Sequence, residues 1–200
     1  MTTGPLVAIG ASAGGPEALA TLLRVIPTSF GGSIVIVQHM DVRFADDLVA
    51  WLSTQSLLPI RTVRSGDHPM PGTVLLAATN DHLVFTSASR LAYAAEPRNT
   101  SSRPSVDVFF RSIQAYWRGA AIGVLLTGMG QDGAMGLRTL RNAGAVTIAQ
   151  DQASSVVYGM PKAAHELDAA GEILPLLDIG PRLVTLVQGM LLPLTGGSHA

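Results

Sequence analysis

Five short, mostly apolar runs limit what this chain can fold into: Leu6–Ile9, Ile34–Val37, Val74–Ala77, Ile122–Leu126 and Ala145–Ala149, the last broken only by Thr147. A strand with one wet face alternates apolar and polar residues, whereas a strand covered on both faces does not. The runs are separated by segments of helical character: Pro16–Val25, with Leu19, Leu22 and Leu23 on one side, Phe44–Ser56, Ser105–Trp117, with Val108, Phe109 and Ile113 inward, and Gly133–Ala143. Pro161–Glu166 and Gly180–Leu191 add two more helices, and Ile60–Val63 a shorter strand. Between His82 and Ala95 the pattern changes to alternation, with Leu83, Phe85, Leu91 and Tyr93 on either side of the polar turn Ser87–Ser89. This stretch reads as an antiparallel hairpin. The expected fold is α/β: a doubly wound, mostly parallel sheet with helices on both faces and a small β-hairpin attached. Residues 1–194 read as a single domain and 195–200 as a flexible tail.

Composition agrees with a well-filled core. Hydrophobic residues make up 48% of the chain and charged residues 14%. A net charge of -1 gives no basic field for nucleic acid, which is therefore not an expected partner. With no cysteine there is no disulfide or thiolate chemistry, which suits the cytoplasm. No apolar run is long enough for direct membrane insertion.

In such sheets, ligands bind beyond the carboxyl ends of the strands. The first run ends in Gly10-Ala11-Ser12-Ala13-Gly14-Gly15 and then Pro16-Glu17. This G-x-S-x-G turn lifts a serine hydroxyl off the sheet edge, and the N–H groups that follow belong to a helix N-terminus, where negative charge is favoured. The same six residues also approximate the dinucleotide fingerprint G-x-G-x-x-G, with serine in place of the middle glycine, or make a tight turn without chemistry. Other strand ends supply Gln38-His39-Met40-Asp41, Asn80-Asp81-His82, Thr127-Gly128-Met129-Gly130-Gln131-Asp132-Gly133 and Gln150-Asp151. Serine, histidine and aspartate on separate loops at one edge are what a serine hydrolase needs. Spacing alone leaves His39 and His82 as rival bases. Asp41, Asp81, Asp132 and Asp151 are rival acids, and Asp132 also reads as an N-cap of the helix after it. The histidines are too scattered for a metal site, and no cofactor is expected.

The segments Gly10–Gly15, Gln38-His39-Met40, Arg103-Pro104-Ser105-Val106-Asp107, Leu126–Gly133 and Gly159-Met160-Pro161 occur in the order found in the chemotaxis receptor methylesterase family (CheB), in its catalytic domain. The chain resembles that family over about residues 5–190. The resemblance implies a three-layer α/β/α fold and hydrolysis of glutamyl γ-methyl esters on the methylated, helical cytoplasmic region of chemoreceptors, with release of methanol. Some members also deamidate receptor glutamines. It makes Ser12 the nucleophile, His39 the base and Asp132 the orienting acid. It also places the Met129 backbone near the oxyanion and Ala13 beside the nucleophile, and puts Arg103 toward the cleft or the receptor helix.

The sequence departs from the family pattern at Ala13, where threonine is usual, at Asp41 in place of proline, and at Ala78-Thr79 in place of Ala-Pro. These changes bear on substrate fit rather than on the triad. Family members usually carry a receiver domain of over a hundred residues before the esterase, whereas here Met1 lies just ahead of the first strand. The chain therefore reads as a stand-alone esterase or an excised domain, with a basal rate expected not to respond to phosphodonors. A nucleotide-binding α/β protein and a non-catalytic signalling module of the same fold are the alternatives. Nucleotide titration separates out the first, and the complete set Ser12, His39 and Asp132 argues against the second.

Overall fold

The computed structural model describes residues 4–87 and 90–192. Positions 88–89 of the expected hairpin turn and the expected tail 195–200 lie outside the described residues. Seven strands form one sheet: β1 (Leu6–Ala11), β2 (Ser33–Gln38), β3 (Ile60–Thr62), β4 (Val74–Leu76), β7 (Ala121–Leu125), β8 (Val146–Gln150) and β9 (Glu172–Leu174). Their spatial order is β3-β4-β2-β1-β7-β8-β9, and every pairing is parallel. The hairpin forms separately from β5 (His82–Ser87) and β6 (Arg90–Ala94).

Helices cover both faces, as the continuous apolar runs require. Side chains alternate along β1: Val7 and Ile9 enter one core, Leu6 and Ala8 the other. The first core is closed by α1 (Gly15–Arg24), α2 (Ala45–Ser53) and α6 (Leu176–Leu191). The second is closed by α3 (Val106–Tyr116), α4 (Ala134–Asn142), α5 (Met160–Glu166) and the hairpin. In α3 the core positions are Val106, Phe109, Phe110 and Ile113, while Val108 is only half-buried.

Three sequence expectations shift. The last helix starts at Leu176, not Gly180, and takes Pro181 into its interior. Ile179 and Leu183 are fully buried on either side of that proline, so packing outweighs the local break. The edge strand β9 was not expected, because its three residues, half-buried Glu172, exposed Ile173 and half-buried Leu174, give no apolar run. The helix read as Phe44–Ser56 begins as a 3-10 turn, Val42–Phe44, and ends at Ser53.

From β1 the chain steps to β2, goes out to the edge as β3 and comes back inward as β4 between them, then crosses to the other side of β1 as β7. The connections on the two sides of β1 diverge there, which opens a crevice above the carboxyl ends of β1 and β7.

Candidate active site

Ladder bonds that run past the strand ends bring three loops together. The His39 N–H donates to the Ala11 carbonyl at 2.9 Å, and the Ser12 N–H donates to the Thr127 carbonyl at 3.0 Å. Ser12, His39 and the segment after β7 are thus fixed by strand register rather than by loop conformation. They line a cleft of about 550 Å³ together with Arg103, Met129 and Asp132. A pocket of about 290 Å³ at the opposite end of β7 and β8, lined by Trp117, Leu140 and Met190 among others, presents no titratable or nucleophilic side chain.

Among the described residues, the only non-glycine with positive φ is Asp168, so the Ser12 backbone stays out of the left-handed region. Gly14, at φ 77°, takes the left-handed conformation and opens α1. Gly10 makes room for the protein rather than for a substrate, since a Cβ there would overlap Val106 of α3. Among the described residues the Ser12 hydroxyl has no hydrogen-bond partner, and neither do the N–H groups of Ala13 and Met129.

His39 Nε2 lies 2.8 Å from Asp132 Oδ2. An ionised carboxylate only accepts, so Nε2 carries the proton and Nδ1 is the nitrogen left to take one. Asp132 is buried and accepts three further bonds: from the Ser105 hydroxyl at 2.7 Å, the Val106 N–H at 2.7 Å and the Asp107 N–H at 3.1 Å. It therefore caps α3, a helix from elsewhere in the chain, and Gly133 stands at the start of α4 where Asp132 was expected to cap. Burial alone would raise the Asp132 carboxyl. The bonds from His39, Ser105, Val106 and Asp107 more than offset this and hold it below the usual carboxylate range.

The rival residues are engaged elsewhere. His82 is fully buried, with Nε2 on the Pro97 carbonyl and Nδ1 on the Ser105 N–H. Asp41 starts the 3-10 turn, where the Arg43 side chain and N–H lower its pKa to about 2. Asp81 pairs with Arg103 at 2.6 Å, and Asp151 accepts from the Ser154 N–H and hydroxyl. Arg103 also donates to the Asn80 carbonyl and lies on the cleft wall, whereas Arg98 pairs with Glu96 at the surface.

Two supporting groups stand in the sequence motifs without an assigned function. Buried Gln38 donates from Nε2 to the Ser12 and His39 carbonyls, both at 2.9 Å, and so ties nucleophile loop to base loop. Gly159 and Met160 donate to the Gly128 carbonyl at 3.1 and 2.9 Å and brace the loop that carries Met129. The sequence signal for Gln38 was a lone amide closing an apolar strand, where a buried polar side chain must find partners.

Comparison with known proteins identifies the family of the chain. Residues 7–183 match the family described as CheB methylesterase. The chain is 60% identical over 184 residues to a protein-glutamate methylesterase/protein-glutamine glutaminase of Cupriavidus metallidurans, covering 92% of this chain and 54% of that protein. A protein of the same name from Pseudomonas syringae is also 60% identical, over 90% of this chain and 53% of its own length. The chain thus spans about half the length of these relatives. The crystal structure of the Thermotoga maritima CheB methylesterase catalytic domain superposes with a TM-score of 0.87 at 32% identity, covering 92% of this chain and all of that one. The chain belongs to the CheB methylesterase family.

Proposed function

We propose that residues 1–194 act as one catalytic unit, a cytoplasmic serine esterase that hydrolyses glutamyl γ-methyl esters on the methylated helical region of chemoreceptors. The observation that carries this reading is the 2.8 Å His39–Asp132 pair in the cleft that Ser12 enters from β1. Ser12 Oγ attacks the ester carbonyl while His39 Nδ1 takes its proton, and Asp132 balances the charge on the imidazolium. The N–H groups of Ala13, just before the N-terminus of α1, and of Met129 have no partner among the described residues and serve in this reading as donors to the developing oxyanion. His39 then returns the proton to the departing methoxide, which leaves as methanol. Water, deprotonated by the same nitrogen, hydrolyses the acyl-serine and regenerates Ser12.

The double name of the relatives supports a second substrate for the same site. Glutamine gives the same acyl-serine with ammonia as the leaving group. Methanol and ammonia release from a methylated and an unmethylated receptor fragment, with wild type beside Ser12→Ala, tests both. Wild-type turnover matched by the Ser12 variant would remove the assignment.

A further inference from the structure

We propose that His82 is a positioning residue for this esterase site: its ring clamps both ends of the 97–105 loop, one end through Pro97 and the other through Ser105. The proposal rests on the esterase reading above. His82 opens β5 at the foot of the hairpin and is fully buried. The Pro97 carbonyl, 2.9 Å from Nε2, can only accept, so Nε2 must carry the proton. The Ser105 N–H, 3.0 Å from Nδ1, can only donate, so Nδ1 must be bare. One tautomer satisfies both contacts.

The clamped segment has no helix or strand of its own, and such segments open easily unless they are tied down. Yet it carries Ser101, Ser102 and Arg103 of the cleft wall. It also ends in Ser105, whose hydroxyl donates to Asp132 at 2.7 Å. Arg103 bonds to Asn80 and Asp81, so the three consecutive residues 80–82 hold the loop at three points. A chain of contacts runs from His82 Nδ1 through Ser105 and Asp132 to His39. A buried imidazole needs a partner for each nitrogen, and here the two partners are the two ends of one cleft-lining loop.

The two ring contacts can be separated. The Asn side-chain oxygen lies near the place of Nδ1, so His82→Asn keeps an acceptor for Ser105 and loses Pro97. The Gln side-chain nitrogen reaches toward the place of Nε2, so His82→Gln keeps Pro97 and loses the Ser105 acceptor. His82→Gln is expected to lower kcat on a small activated ester about tenfold, with KM nearly unchanged, because the support of Asp132 is disturbed. His82→Asn is expected to hold kcat within about twofold and to raise KM for a receptor fragment severalfold, because the cleft wall loosens. Ser105→Ala, which keeps its own N–H, should reproduce the kcat loss and provides a second route if a His82 variant fails to fold. Amide exchange at Ser105, faster in His82→Gln than in His82→Asn, reports the clamp whether or not the protein is an esterase. Equal effects of Asn and Gln on kcat and KM, equal Ser105 exchange in the two, or a wild-type kcat in Ser105→Ala would overturn the proposal. Absence of wild-type esterase activity together with the exchange difference would sink the esterase reading and leave the clamp standing.

Discussion

Asp132 and Asp107 exchange helix ends. Asp132 accepts from the N–H groups of Val106 and Asp107 in the first turn of α3, at 2.7 and 3.1 Å. Asp107 accepts at 2.6 Å from the N–H of Gly136 in the first turn of α4, the helix that opens just after Asp132. Each carboxylate meets the positive end of the other's helix. The surroundings nevertheless split the two acids. Burial pushes the Asp107 carboxyl up against the Gly136 bond, and the nearby Asp132 charge adds to the rise. Asp132, with four donors, is held down.

This split sets opposite pH dependences. A carboxyl raised in the folded state binds its proton more tightly there, so stability falls as pH rises from the ordinary carboxylate value of about 4 through the folded value. Asp107→Asn removes that fall and keeps an oxygen for the Gly136 N–H. Its melting temperature relative to wild type is expected to improve with rising pH above about 4. A difference that stays constant from pH 3 to 8 would contradict a raised Asp107. Asp132, held low, contributes stability that is present above about pH 4 and lost as acid protonates it.

Ser12→Ala, His39→Ala and Asp132→Asn should each nearly abolish esterase turnover, with about 10⁴-fold as the precedent for loss of the aspartate charge. They should differ in stability. Among the described residues the Ser12 side chain has no partner and the His39 side chain bonds to Asp132 alone, so those two variants should melt near wild type. Asp132→Asn leaves donors of α3 short of acceptors and should lose about 1–3 kcal/mol. Calorimetry beside the activity assay tests the contrast.

Gly15→Ala should damage the site from behind. A Cβ at position 15 would overlap Gln38 Oε1, a buried atom that already lacks a hydrogen-bond partner. The amide that ties Ser12 to His39 has to move. Overpacking of this kind costs about 1–3 kcal/mol, or roughly 2–12 °C in melting temperature for a domain of this size. The expected signature is a loss of kcat measured well below the melting point, and unchanged kcat in a destabilised variant would refute the link through Gln38.

Arg103→Ala is expected to weaken turnover of a receptor fragment more than of a small ester. The side chain sits on the cleft wall, held by Asp81 and the Asn80 carbonyl, where it can meet an extended substrate but not the ester carbon. Proportional losses on the two substrates would assign Arg103 to loop structure alone.

The sheet was legible because a strand buried on both faces writes itself as a mostly apolar run, interrupted in β8 only by buried Thr147. Every such run became a strand of the parallel sheet, and the alternation between Leu83 and Tyr93 became the hairpin. What escaped was decided by tertiary contact. β9 is an edge that needs no apolar run, and Pro181 stays inside α6 because Ile179 and Leu183 are buried. At the site, strand ends gave the loops but not the partners. Choosing His39 over His82 turns on which ring nitrogens face backbone, and spacing carries nothing about that. The helix that Asp132 caps begins 26 residues earlier in the chain, at Val106, so no local motif could announce it.

The capping role of Asp132 changes how its presence in a sequence should be weighed. A descendant of this fold that abandoned hydrolysis would gain nothing by replacing this aspartate, because the start of α3 would still need it. The bonds that Ser12 makes in the fold come from its backbone, which any residue would keep, so its hydroxyl would be the first of the three groups to drift. Among related chains, therefore, a retained aspartate testifies to the architecture, and the serine is the better witness of a working enzyme.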